Sequence, residues 1–166
     1  KKFSKHNRFF FYKTDLSKPE SIKKTCDKIN KKYQKIDSLI TLYSNGKAQK
    51  AVDEINKLLE NYKDNPLLFN IQGACYTALG QTINAIKSYE SAIELKPDYA
   101  DSHYNLGNSL RSIDRLEDSV KSFEKAISYL PDFLEAIFNL GVSLMALGQM
   151  NDAIEPFEHV LLIDPN

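Results

Sequence analysis

An all-α array of stacked helical hairpins is the fold class predicted for this chain of 166 residues, and three spacings predict it. Gly73, Gly107 and Gly141 recur every 34 positions, and so do Pro97, Pro131 and Pro165. Gly46, Gly80 and Gly148 fall on the same period, with Asp114 in the slot that lacks a glycine, so all six glycines are accounted for. Between these marks apolar residues recur at helical spacing: Phe69, Tyr76 and Leu79 before Gly80, then Ile86, Tyr89 and Ile93 after it. Each period is therefore two helices and a tight turn, and self-similarity at a fixed period is the signature of a repeat architecture.

Residues 1–17 form a basic aromatic arm: Phe9-Phe10-Phe11-Tyr12 is flanked by charge, and no helical period runs through it. Ser17-Lys18-Pro19-Glu20 then has the S-x-x-E form of a capping box, with proline tolerated in the first turn, so a helix is expected to begin at Lys18. Its apolar positions Ile22, Cys26, Ile29, Tyr33, Ile36, Ile40 and Tyr43 step by 4, 3, 4, 3, 4, 3, with no Gly or Pro before Asn45-Gly46. One long helix across 18–44 is expected, its leading part, 18–31, continuing into the first hairpin. The hairpins are placed at 32–65, 66–99, 100–133 and 134–166.

Side-chain size assigns the roles within each hairpin. The glycine eight residues into the first helix removes the Cβ where another helix crosses closely, and Ala85, Ala92, Ala126 and Ala153 do the same on the second helices. Large groups fill the gaps. The glycine between the helices supplies a left-handed backbone, which Asp114 also tolerates. The proline ends the second helix, because the residue before it is pushed out of the α region. The first hairpin keeps only Gly46 and Ala51 of this pattern and has Leu39 at the close-packing glycine position. Pro156 falls inside the last helix, where it removes a backbone hydrogen bond and is expected to bend it.

The pattern resembles the tetratricopeptide-repeat family, whose 34-residue unit carries an aromatic, a Leu-Gly pair, a Tyr, an Ala, an aromatic, an Ala and a Pro at fixed offsets. Phe69, Gly73, Tyr76, Ala85, Tyr89, Ala92 and Pro97 carry the match in the second unit. Leu106, Gly107, Phe123, Ala126 and Pro131 carry it in the third, and Leu140, Gly141, Ala153, Phe157 and Pro165 in the fourth. His103 and Ser119 depart from it, standing where an aromatic and an alanine are usual. The resemblance is to bacterial-type arrays and to those of O-linked N-acetylglucosamine transferase-like proteins, and it implies a right-handed α-solenoid.

Composition excludes several classes. Apolar stretches such as Val160-Leu161-Leu162-Ile163 fall far short of the ~20 residues that a membrane span requires, so a soluble, cytoplasmic chain with no membrane partner is expected. Cys26 and Cys75 lie far apart without a C-x-x-C pair, too few for a disulfide framework or a thiolate metal site, and both are expected to be buried. Net charge is zero in total, yet residues 1–35 carry twelve Lys/Arg against Asp15, Glu20 and Asp27, or +9. Residues 36–166 then hold 10 basic and 19 acidic groups, or −9. The arm has charge for nucleic acid, but its aromatics lie in one run instead of along a platform, so no nucleic-acid partner is expected.

No phosphate loop, HExxH, G-x-S-x-G or Ca²⁺ loop is present, and the glycines are explained by the repeat. His6, His103 and His159 share no spacing, and His103 is expected to be a packing residue. Asp53-Glu54 and Glu117-Asp118 are neighbours on helices and are expected to be solvated. No catalytic residue, metal or cofactor is therefore expected, and the chain is not expected to be an enzyme.

In the resembled family the first helices line a concave groove. The resemblance places Leu67, Asn70, Ile71, Ala74 and Thr77 there, then Asp101, Tyr104, Asn105, Asn108 and Arg111, then Glu135, Phe138, Asn139, Val142 and Met145. Asn70, Tyr104, Asn105, Asn108, Arg111, Phe138 and Asn139 are the candidate peptide-binding residues. Asn105 and Asn139 are one period apart and are expected to face solvent, where an amide can hold a peptide backbone whatever its side chains. Asp101 and Glu135 stand where carboxylate-gripping members of the family need a basic residue, which disfavours capture of a C-terminal carboxylate. A scaffold binding a protein or peptide segment is the expected function; the alternative is the recognition region of a larger glycosyl- or sulfotransferase-like enzyme. Self-association is expected through Ile154, Phe157 and Val160 of the last helix or through the arm, which is expected to dock on an acidic surface.

Overall fold

The computed structural model describes residues 34–163, all helices and short turns, with no strand among them. The expected arm at 1–17, the leading helix at 18–31 and Pro165 lie outside the described residues. Contacts divide the chain into residues 1–41 and 42–166. In the first unit, residues 34–41 are helical, Ile36 and Leu39 are buried, and Thr41 Oγ1 donates to Asp37 O at 2.8 Å.

We label the helix at residues 34–44 α1. The others follow as α2 Ala48–Leu59, α3 Pro66–Ala78, α4 Thr82–Leu95, α5 Ala100–Arg111, α6 Leu116–Tyr129, α7 Leu134–Ala146 and α8 Met150–Ile163. α3, α5 and α7 therefore start 34 residues apart.

The turn inside each hairpin is the same object four times. Gly46, Gly80 and Gly148 have φ of +69°, +70° and +78°, and Asp114 takes the same left-handed backbone at +62°. The N–H of each donates to the carbonyl three residues back, and the next N–H donates five back: Gly80 N to Thr77 O at 3.0 Å, Gln81 N to Tyr76 O at 2.9 Å. For Asp114 and Arg115 the acceptors are Arg111 and Leu110, both at 3.0 Å. This pair of hydrogen bonds satisfies carbonyls that the helix end orphans. At the far end of each unit, Lys96 and Leu130 leave the helix with ψ of 87° directly before Pro97 and Pro131. α3 has a further start signal, Pro66 at its first turn and an Asn65 side chain that accepts from Leu67 N at 3.1 Å.

Within residues 42–166 each helix packs on its sequence neighbour, and the first helices also meet across hairpins, α3 with α5 and α5 with α7. The missing Cβ of each in-helix glycine is filled by an aromatic from the partner helix. A Cβ on Gly73 would lie 2.5 Å from the Tyr89 ring, on Gly107 2.7 Å from Phe123, and on Gly141 2.8 Å from Phe157. Ala85, Ala92, Ala126 and Ala153 are buried as expected. Phe123, Ala126 and Ala136 form a closed cluster under Tyr104, Ile127, Phe133 and Leu140, which joins the third hairpin to the fourth. Pro156 lies inside α8 and is itself buried.

Candidate functional site

α5 presents Asp101, Tyr104, Asn105, Asn108 and Arg111 at spacings of three and four, so they share one side of the helix. On α7 the equivalent row is Glu135, Phe138, Asn139, Val142 and Met145. α3 contributes Asn70. Because α3, α5 and α7 pack side by side, these rows adjoin.

Hydrogen bonds tie the rows together. Asn70 Oδ1 accepts from Ser102 Oγ at 3.0 Å and from Asn105 Nδ2 at 3.2 Å. Asn139 Nδ2 donates to Glu135 O at 2.8 Å and, more weakly, to Tyr104 OH at 3.4 Å. Asn105 and Asn139 are thus half-buried rather than turned freely to solvent, and each reaches back 35 residues, one more than the period, to the preceding hairpin. The extra residue matters: Asn105 meets Asn70, one position before its formal equivalent Ile71. Asn70 is a joint between hairpins with its carbonyl already occupied twice.

The other candidates form a graded surface. The Tyr104 ring lies 4.8 Å from Phe133 and 6.0 Å from Phe123, fixed on both sides. Arg111 Nη2 donates to Asn108 Oδ1 at 3.3 Å, its guanidinium lies 5.9 Å from the Phe123 ring centre, and its Nη1 is buried with no partner among the described residues. Phe138 meets Phe157 edge-on at 5.6 Å yet is 50% exposed, and Met145 is 46% exposed. Large apolar side chains thus stand half in water on the same side of the helices as the anchored amides.

One edge of this surface is acidic. Asp101 and Glu135 sit exposed in the first turns of α5 and α7, and exposed Asp64, Asp98 and Asp132 repeat every 34 residues in the turns that precede α3, α5 and α7. Among the described residues the ion pairs are Lys57–Glu54, Arg115–Asp118 and Lys121–Asp118, each between residues three apart in the chain, so none involves this edge. Lys96 is adjacent, with Nζ 4.7 Å from the Tyr99 ring centre. The field of Asp101 is felt locally: Tyr99 is pushed up to about 12, first by burial and then by that carboxylate, with Asn70 opposing.

The remaining polar groups hold hairpins together. His103 is a packing residue, its Nε2 donating to Pro97 O at 2.9 Å and its ring 5.5 Å from Tyr129. Ser119, fully buried where alanine is usual, donates to Gly107 O at 2.9 Å and lies 3.3 Å from Ser143 Oγ. Gln72 bridges Asn56 at 2.8 Å and Ser88 at 3.0 Å, beside a polar cleft of about 240 Å³ lined also by Tyr76, Asn84, Lys87 and Ser91. Cys75 is buried, which pushes its thiol up, and Cys26 lies outside the described residues. Asp53, Glu54 and Glu117 are exposed, and Asp118 is half-exposed. Among the described residues no three His, Cys, Asp or Glu gather as metal ligands, and no helix is long and apolar enough to cross a membrane. Sequence reading missed Ser102 and the Asp64–Asp98–Asp132 row; the 34-residue recurrence of the aspartates was the available signal.

A helical-hairpin repeat array defines the class of protein. Residues 73–110 match a TPR repeat model and residues 100–166 a tetratricopeptide repeat model, together more than half of the sequence, and the chain belongs to the tetratricopeptide-repeat family. No curated protein matches the sequence. Among solved structures, MamA is similar at 24% identity over 75% of this chain and 73% of its own, with a TM-score of 0.72. YrrB, described as a TPR protein with an unusual peptide-binding site, is similar at 20% identity over 80% and 68%, with a TM-score of 0.70. The first TPR of Spaghetti (RPAP3) bound to the HSP90 peptide SRMEEVD is similar at 22% identity over 68% and 89%, with a TM-score of 0.66. At these identities the likeness concerns the fold.

Proposed function

We propose that this chain is a non-catalytic scaffold that holds an extended polypeptide segment of a partner on the face of α3, α5 and α7. The observation that carries the reading is the contrast between the two sets of helices. α3, α5 and α7 together hold three charged residues, Asp101, Arg111 and Glu135, whereas α4, α6 and α8 hold eleven. Low charge alone would suit helices packed on both sides, but Phe138 and Met145 on that set are half in water. Depletion of charge around exposed aromatic and thioether groups is the composition of an interface centre. Asn105 and Asn139 then add amide groups at one-repeat spacing, Asn105 held by Asn70 of the preceding hairpin and Asn139 chiefly by Glu135 O of its own helix, so little side-chain freedom is lost on binding a peptide backbone. The peptide-bound RPAP3 domain and the peptide-binding site of YrrB support a peptide ligand on this fold.

The test is selection of peptides from a randomised library followed by titration against variants. Phe138→Ala and the double substitution Asn105→Ala with Asn139→Ala are each expected to weaken the selected peptides by ~1–3 kcal/mol. Because the amides bond other residues of the array and Phe138 packs edge-on against Phe157, both variants are expected to melt a few degrees lower, and affinities are compared well below the melt. Peptides whose affinity ignores all of these substitutions would place binding elsewhere.

A further inference from the structure

The chemistry of the bound segment can be taken one step further, resting on the face proposed above. Each polar feature of that face has a side. At the start of α5 and α7 stand Asp101 and Glu135, with Asp98 and Asp132 in the turns directly before them, all exposed. No positive side chain shares these helices until Arg111, ten residues beyond Asp101, and its Nη2 is engaged by Asn108. Lys96 is the nearest basic neighbour in sequence, and it rests over the Tyr99 ring. Asp98 and Asp132, like Asp101 and Glu135, recur at the 34-residue period, so the edge is a regular row of negative charge along the array. Beside it lie the exposed Phe138 ring and the half-buried Tyr104.

We infer that the segment held by α3, α5 and α7 is cationic, with Lys or Arg side chains along the edge of Asp98, Asp101, Asp132 and Glu135 and an aromatic or aliphatic side chain against Phe138. Two physical arguments support this occupant over others. An acidic segment would bring like charges together along the whole row, which suppresses wrong partners strongly. The SRMEEVD peptide held by the RPAP3 domain is of that disfavoured kind, since it ends in Glu-Glu-Val-Asp. A neutral segment would gain the apolar contact and leave the row unused, whereas a basic one gains both the contact and electrostatic steering. Basic residues beside aromatics occur in this chain's own residues 5–13, Lys-His-Asn-Arg-Phe-Phe-Phe-Tyr-Lys, within a stretch of net charge +9 against −9 for residues 36–166.

A synthetic peptide with the sequence of residues 5–13 is therefore a suitable probe, alongside two versions in which Lys5, Arg8 and Lys13 are replaced by Gln or by Glu. Titration of each into the full chain is expected to rank them basic, then Gln, then Glu, with at least tenfold between the first two at low salt. Raising the salt from about 50 mM to about 500 mM should collapse that advantage, because attraction between exposed charges is screened. Asp101→Asn with Glu135→Gln, which removes two of the row's four charges, should reduce it severalfold, while Phe138→Ala should weaken the basic and Gln peptides by the same factor. Equal affinity of the three peptides, or a basic preference undiminished by Asp101→Asn with Glu135→Gln, overturns the cationic inference and leaves the contact face standing. Failure of all three peptides to bind, or binding indifferent to Phe138→Ala, overturns the face itself.

Discussion

At the residue scale, the array depends on what is missing from three glycines. Gly107 has no side chain because Phe123, wholly buried, occupies that space, and a methyl group there would stand 2.7 Å from Cε1 of the ring. The ring cannot retreat into the packed Ala126–Ala136 cluster without moving the neighbouring hairpin. Gly107→Ala is accordingly expected to cost ~1–3 kcal/mol in denaturant unfolding, the range for overpacking, despite alanine's higher helix propensity. Gly46, Gly80 and Gly148 are required for a different reason: a Cβ would meet nothing, and the left-handed backbone is the constraint. Asp114 shows that the backbone, not the space, selects the residue there. The buried Tyr89 supplies a second expectation. Burial, reinforced weakly by Tyr43 and Cys75 and opposed by a hydrogen bond with Thr77, pushes it up to about 12 from an unfolded value of 10.0. A raised value means that the neutral hydroxyl is favoured by the fold. The associated stability is fully present below about pH 10 and is lost as pH rises towards about 12, where the unfolded chain sheds the proton first. Tyr99 behaves alike. Thermal melts should fall through that window, and Tyr89→Phe should blunt the fall.

At the element scale, helix limits were legible because glycine and proline mark them through backbone constraints that act locally. Gly80 and Pro97 bracket α4 whatever lies around it, and Asp114 could be read as a glycine substitute from the period alone. Contacts between hairpins were not legible in the same way. Asn105 meets Asn70, and Asn139 reaches Tyr104, because the rotation from one hairpin to the next shifts the register by one residue, and spacing along the chain does not encode that rotation. The same limit hid Ser102, whose hydroxyl finds Asn70 across the interface. α8 carries its own local conflict. Pro156 is its seventh residue and cannot donate to the carbonyl of Asp152, yet the helix runs on to Ile163. Burial of the ring helps retain it, and alanine would restore the bond while surrendering some packing. Pro156→Ala is expected to raise stability by about 1–2 kcal/mol, less than the ~3 kcal/mol propensity difference, in chemical denaturation.

At the scale of the whole molecule, residues 42–166 form a chain of nearest-neighbour contacts, so each hairpin depends on the one that covers it. The second helix of each hairpin shows the effect directly. Ile86 on α4 is 6% exposed, with α5 packed on that helix, whereas Ile154, its equivalent two periods on, is 53% exposed on α8, and Leu161 is 63% exposed. Phe157, expected to share in this open surface, is instead turned inward against Gly141 and Phe138. The exposed pair lies seven residues apart, two helical turns on one side of α8, and continues towards Met150 at 58%. An apolar stripe of this kind is suited to association. The 166-residue chain is therefore expected to sediment faster as its concentration rises, and Ile154→Lys with Leu161→Lys to sediment as a monomer throughout. Because both side chains already stand in water, the double variant should keep the parent's melting temperature at dilute concentration. Concentration-independent sedimentation of the unsubstituted chain, or association undiminished in the variant, would show that this stripe is not where copies meet.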